Sequence, residues 1–165
     1  MKTKTRSKFC LLTAAMVLSV AIAIPAAQQS VPFKGAIVGV DADIPSTTPG
    51  SLVVATGGTG TATHLGNFYF IQVLTVDLAH LTATGSAHWI AATGDSLYTT
   101  ITASAAPTGK PNELSITDKH TITGGTGRFA GAQGTFTVER LASGVTFETS
   151  GSIVDGTITL PGGAH

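Results

Sequence analysis

Cysteine is nearly missing from this chain of 165 residues: Cys10 stands alone. An internal disulfide is therefore excluded, although many small exported domains lean on such bridges. Charge is scarce as well. Only 11% of the residues are charged against 42% hydrophobic, which excludes the low-hydrophobicity, high-charge composition of a disordered chain. The same profile excludes a coiled coil or helical bundle, which would be rich in Glu, Lys, Leu and Arg. Nine basic residues balance nine acidic ones, so the basic footprint of a nucleic-acid binder is absent. No apolar run reaches the roughly 20 residues that span a bilayer as a helix. What the chain does have is 20 glycines and 27 threonines. β-Branched threonine suits a pleated surface, and a chain of this length makes one domain with a single core.

The N-terminus reads as an address. Lys2, Lys4, Arg6 and Lys8 precede an apolar stretch from Phe9 to Ile24, whose polar interruptions are Thr13 and Ser19, and Pro25-Ala26-Ala27 follows. A basic lead, a short apolar run and a small-residue site describe a secretory signal peptide. The cut is expected before Ala27, with Ala21-Ile22-Ala23 as the second choice. Cys10 lies ahead of the bulk of the apolar stretch, where a lipoprotein signal would have it behind. The expected organisation is a signal peptide over 1–26, a flexible lead-in over 27–34, a β-domain over 35–160 and a tail over 161–165, in a secreted or periplasmic protein. Removing 1–26 leaves Lys34, Lys110, Lys119, Arg128 and Arg140 against nine acids, a net charge of −4. Attraction to nucleic acid or to an anionic membrane surface is then disfavoured.

Past the lead-in, no window has a 3.6-residue apolar period. Alternation with period two recurs instead, broken by Gly, Pro, Asn and Asp. It predicts strands near 35–42, 51–57, 60–65, 67–78, 81–92, 95–104, 113–123, 133–141, 144–150 and 152–160. Short connections make neighbouring strands antiparallel, and many short strands at this spacing predict a sandwich or a barrel. Over 113–123, Leu114, Ile116, Asp118, His120 and Ile122 share the inner face, and over 135–140 Phe136, Val138 and Arg140 do. Strand 67–78 is apolar on both sides, Phe68, Phe70, Leu74 and Val76 against Tyr69, Ile71 and Val73. Such a strand is covered on both faces, so a packed loop or a second subunit is expected over its outer side.

Gly124-Gly125-Thr126-Gly127 leads into Arg128-Phe129-Ala130-Gly131-Ala132-Gln133-Gly134. A phosphate cradle would need a helix to follow and a lysine in the loop. A strand follows instead, so the segment reads as a tight interstrand corner in which glycine supplies positive φ and close backbone approach. Gly57-Gly58-Thr59-Gly60 repeats the tetrapeptide and reads as the same turn reused.

The 124–134 segment is similar to the corner motif of the allene oxide cyclase/dirigent-like barrel superfamily. It resembles more closely a group of small exported bacterial proteins assigned to that barrel. Ala62–Phe68 and Thr93–Leu97 resemble that group's other recurrent segments, and the ordered series spans roughly residues 35–158. The resemblance implies an all-β, closed, antiparallel up-and-down barrel of about eight strands around a central cavity. The plant relatives form trimers and guide cyclisation or coupling of small apolar molecules. Their catalytic residues have no counterparts here, so the resemblance implies the fold and not the reaction.

The cavity candidates are the polar residues on inner faces, Asp118, His120 and Arg140. If they converge, the acid, imidazole and guanidinium must satisfy one another, because an unpaired buried charge is costly. A carboxylate so pinned would hold a water or act as a base; the plainer expectation is a satisfied polar plug. His64, His88 and His120 fall on three separate segments without the close spacing of a metal motif, so no metal and no cofactor is expected. No Gly-x-Ser-x-Gly elbow occurs. Three functions stay open: a non-catalytic barrel that binds a small apolar ligand or serves as an interaction module, a cyclase- or dirigent-type enzyme, and a structural oligomer with a filled interior that pairs through strand 67–78.

Overall fold

The structure, a computed structural model, describes residues 29–160. The expected signal peptide, its cleavage site and the 161–165 tail lie outside the described residues. Eight strands follow in order: β1 (Ser30–Pro45), β2 (Ser51–Ala62), β3 (Gly66–Asp77), β4 (Thr82–Ala91), β5 (Ser96–Pro107), β6 (Glu113–Gly125), β7 (Gln133–Ser143) and β8 (Glu148–Thr159). Each pairs antiparallel with the next, and β8 pairs with β1, closing an up-and-down barrel without a sheet edge. The alternation places Asp118, His120, Ile122, Phe136, Val138 and Arg140 inside, all buried.

Three expectations about segmentation are corrected. The chain expected as a lead-in joins the barrel from Ser30, because Phe33 is an inward residue with no exposed surface and pairs across to β8. The stretches 51–57 and 60–65 are one strand, so Gly57-Gly58-Thr59-Gly60 is strand and not turn. Its inward glycines give clearance. A Cβ on Gly58 would stand 2.7 Å from Phe70 Cε1 and 2.3 Å from the Val38 carbonyl oxygen, and one on Gly60 2.5 Å from Phe68 Cζ. The cross-strand partners of these two glycines are Phe70 and Phe68, whose rings occupy the space a side chain would take. Likewise 152–160 continues upstream through Gly151 to Glu148, while 144–147 is a turn. Gly151 faces Arg140, whose Cβ would lie 2.6 Å from a Cβ there.

The lumen is filled unevenly. At the end carrying the β2–β3, β4–β5 and β6–β7 connections, Trp89 stacks on Phe70 at 5.1 Å and meets the edges of Phe68 and Phe136 at 5.2 and 5.5 Å. Such pairs contribute about 0.5–1.5 kcal/mol each beyond area burial. The β6–β7 connection seals this end. One turn of 3-10 helix, Gly127–Phe129, carries Phe129 into the core beside Leu65, Leu97 and Ile158. Gly127 has φ +54, and a Cβ there would overlap the Asp95 carboxylate. Arg128 lies over the Phe129 ring at 4.9 Å and donates to the Leu65 carbonyl at 3.0 Å, tying the corner to the β2–β3 turn.

The tetrapeptide in β2 supplies a clean test. Gly58→Ala is expected to lower stability by about 2 kcal/mol or more through overpacking, whereas Gly57→Ala, whose Cβ meets nothing within 4 Å, is expected to be neutral or to gain up to about 1 kcal/mol. Urea midpoints of the two variants check this; equal effects would contradict the assignment of inner and outer faces.

Candidate functional site

Arg140 occupies mid-barrel on β7, opposite Gly151 of β8. Its Nε donates to Asp118 Oδ2 at 2.7 Å, and Nη1 donates to Thr149 Oγ1 at 3.1 Å and Asp41 Oδ2 at 3.3 Å. Thr56 donates to the other Asp41 oxygen at 2.6 Å, and Thr149 passes its proton to the Leu141 carbonyl at 2.9 Å. The guanidinium thus bridges β6, β1 and β8 through one β7 side chain. Removing one partner of a buried pair of this kind costs about 3–5 kcal/mol, because the remaining charge is left uncompensated. Burial pushes the Asp118 carboxyl above the usual range; the Arg140 charge and hydrogen bond and the nearby Gln72 amide pull the other way. Asp118 Oδ1 and Gln72 Nε2 lie within a buried layer with no hydrogen-bond partner in bonding geometry.

Of the expected trio, the structure brings Asp118 and Arg140 together and sets His120 in the next layer. His120 stacks flat on Phe136, centroids 4.5 Å apart at 7°, with the Trp89 edge at 5.3 Å. Its Nδ1 lies 3.0 Å from Thr99 Oγ1, which also receives the Trp89 indole N–H at 3.2 Å. His120 Nε2 is buried without a hydrogen-bond partner. Burial, with the Arg140 charge adding, holds the His120 pKa down to about 3, so the ring is neutral. His120 is therefore a polar member of the aromatic end and makes no hydrogen bond to Asp118 or Arg140.

Above Arg140, toward the β1–β2, β3–β4, β5–β6 and β7–β8 turns, the lumen opens into a cavity of about 200 Å³. Its walls are aliphatic, with Val54, Leu74, Ala83, Ala103 and Ile116 among them, and its charged lining residues are Asp41, Asp43 and Arg140. Asp41, Thr56, Gln72, Thr99 and Thr149 were missed by the sequence reading. Parity held a signal for two of them: Asp41 continues the Phe33–Ile37 face, and Gln72 sits between Phe70 and Leu74.

The remaining predicted residues lie elsewhere. His64 is exposed in the β2–β3 turn, and His88 is on the outer face with its Nε2 2.8 Å from Ser96 Oγ. They do not converge with His120; among the described residues no three His, Cys, Asp or Glu side chains are placed to share an ion. Gly124, Gly125, Gly127, Phe129, Gly131 and Gly134 build the sealed corner, with positive φ at 124, 127, 131 and 134. Tyr69, Ile71 and Val73 are 49%, 50% and 45% exposed, so no loop of the described chain covers them. The chain matches no protein-family model, no curated protein and no solved structure.

The neutral imidazole sets an acid limit. Its folded pKa lies below the unfolded value of about 6.5, so the unfolded chain takes up the proton first as pH falls. The stabilisation is complete above pH 6.5 and is lost toward pH 3, by roughly 1.4 kcal/mol per pH unit. Asp118, raised, acts with the opposite sign: its contribution is full below the unfolded value and fades as pH rises through its folded midpoint. The natural chain is therefore expected to lose stability relative to His120→Phe as pH falls from 7 to 4. Urea melts at both pH values measure it, and parallel profiles would contradict a neutral buried His120.

Proposed function

We propose that this chain is an exported barrel that binds a small apolar molecule in the open half of its lumen, without catalysing a reaction. The observation that carries the reading is the uneven filling. Aromatic side chains pack one half solid, while small and aliphatic residues line a cavity of about 200 Å³ in the other. Eight-stranded barrels are wide enough to hold either their own side chains or one small ligand, and apolar walls with a few convergent polar groups are the usual makeup of a ligand site. The basic, apolar, small-residue series of the N-terminus supports export, and the 124–134 corner supports kinship with the allene oxide cyclase/dirigent-like barrels.

Two features favour binding over a cyclase-type reaction. Asp118 is 1% exposed and already holds Arg140, whereas a general base must come within hydrogen-bond reach of its substrate. His120 lies beneath Arg140 among aromatic rings. The open half argues against a purely structural, filled barrel. Ala103→Trp is expected to occupy the cavity, leave the fold intact and abolish retention of small molecules. Native mass spectrometry of both chains purified from their source tests it; an identical adduct on both, or none on the natural chain, would overturn the reading.

A second reading, compatible with the first, concerns the outer face of β3. One cross-strand row runs Val40, Gly57, Ile71, His88, Tyr98, and its neighbour runs Val38, Thr59, Tyr69, Ile90. Neither row contains an Asp, Glu, Lys or Arg up to Glu148, the β8 partner of Val40 that bounds the first, and Val38, Val40, Tyr69, Ile71 and Tyr98 are exposed. Charge-free apolar surface of this kind is the ordinary mark of an interface, and we propose that copies of the chain associate through it. Ile71→Lys is expected to convert an oligomer to a monomer in analytical ultracentrifugation; a monomeric natural chain would contradict the association.

A further inference from the structure

We propose that the apolar molecule held in the cavity carries a neutral carbonyl oxygen, which accepts hydrogen bonds from Arg140 Nη2 at the cavity floor. The proposal rests on the ligand-binding reading above and adds the chemistry of the ligand's head.

A guanidinium has five N–H donors, one on Nε and two on each terminal nitrogen. In Arg140 three of them are taken: Nε by Asp118, and the two of Nη1 by Asp41 and Thr149. The two protons of Nη2 have no acceptor among the described residues. The side chain is only 3% exposed, yet it lines the cavity. Nη2 is not among the unpartnered polar atoms sealed inside the barrel, which are Gln72 Nε2, Asp118 Oδ1 and His120 Nε2. It can therefore be reached. Because Arg140 points inward from β7, the space that reaches Nη2 is the cavity. A charged donor left without an acceptor in apolar surroundings is costly, and an acceptor carried in by an occupant removes that cost. Water can meet the same donors, but it leaves the aliphatic walls wet.

The charges already present select a neutral head. Asp118 and Asp41 both bond the guanidinium, and Asp43 is exposed at the mouth. A carboxylate head would enter a space whose cation is already matched and whose other charges are negative. An ammonium head has three donors and no acceptor, so it would leave Nη2 bare and set a like charge beside it. A carbonyl oxygen has two lone pairs and no proton, the complement of Nη2. Depth then sets the orientation. Arg140 is at the floor, whereas Leu81 and Phe147 belong to turns at the mouth, so the carbonyl enters first and the apolar body lies against Val54, Leu74 and Ile116.

The test uses acetophenone, benzoate and α-methylstyrene, the last having the shape of acetophenone with a methylene in place of the carbonyl oxygen. Each is titrated calorimetrically at pH 7 into the purified full chain. Acetophenone is expected to bind about tenfold more tightly than α-methylstyrene, the lower end of what a hydrogen bond to a charged group contributes net of water, and benzoate most weakly. A pocket that uses only its apolar walls reverses the first order, because the ketone gives up more hydration on entry. A second readout leaves Arg140 untouched. The chain's arginines are Arg6, Arg128 and Arg140, so isotope-labelled arginine gives a sparse set of guanidinium NMR signals, assigned with Arg6→Lys and Arg128→Lys. Acetophenone is expected to shift the Arg140 signals and α-methylstyrene to leave them near their free positions. α-Methylstyrene or benzoate binding as tightly as acetophenone, or Arg140 signals unmoved by bound acetophenone, would overturn the carbonyl head while leaving an apolar-ligand barrel standing. No binding by any of the three would overturn both.

Discussion

A guanidinium cannot discard its charge inside a protein, and Arg140 sits in the middle of this barrel. Much of the lumen follows from that. Two carboxylates must reach it, so Asp118 faces inward from β6 and Asp41 from β1. A hydroxyl must complete the shell, so Thr149 does so from β8. The strand beside it must surrender a side chain, so Gly151 lies opposite. The knot joins four of the eight strands through one residue and divides the interior. Below it the packing is aromatic and the one imidazole is neutral; above it the packing stops.

Glycine works against a simple reading of this chain. Twenty glycines in a strand-rich sequence look like punctuation, and at Gly127 that is what they are: the backbone turns where no side chain fits. At Gly58, Gly60 and Gly151 the same residue lies inside a ladder. There it makes room for Phe70, Phe68 and Arg140, three side chains that reach across from neighbouring strands. The difference is not local. Gly57-Gly58-Thr59-Gly60 and Gly124-Gly125-Thr126-Gly127 are identical tetrapeptides, yet the first lies wholly within β2 and the second runs off the end of β6 into the corner.

The same distinction explains what was legible in the sequence. Period-two alternation is a property of single strands, so the all-β class and the inner faces of β6 and β7 could be read directly. Antiparallel order followed from short connections, and the closed barrel from the resemblance carried by the 124–134 corner. Alternation alone divides the chain into ten segments, because glycines at 57–60 and 151 interrupt β2 and β8, and the count of about eight came from the resemblance. Asp118 and Arg140 were legible as inward polar residues. Of the further partners of Arg140, Thr149 comes from the next strand, 9 positions on, whereas Asp41 is 99 positions away on β1 and only closure of the sheet brings it in. His120 shares a face with Asp118, yet one layer of barrel height separates an ion pair from an aromatic stack.

The open half is a choice of side chains and not of topology. Strand number and stagger fix the radius of a barrel, so one end is not wider because it is vacant of bulk. Trp89, Phe70 and Phe136 fill the cross-section at one level; Ala83, Ala103 and Ala105 line it at another. Substituting larger residues there would add packing. At roughly 24 cal/mol per Å³ of cavity, about 200 Å³ forgoes at most about 5 kcal/mol, an upper figure because the mouth is open to water. Net stabilities of domains are themselves only about 5–15 kcal/mol. A chain that fills one end of its lumen with aromatic rings and lines the other with small and aliphatic side chains forgoes stabilisation up to the first of these amounts. The omission is confined to the end where Asp41, Asp43 and Arg140 face inward. That sorting, with aromatic residues under the polar knot and small aliphatic ones above it, is the arrangement the proposed ligand site requires.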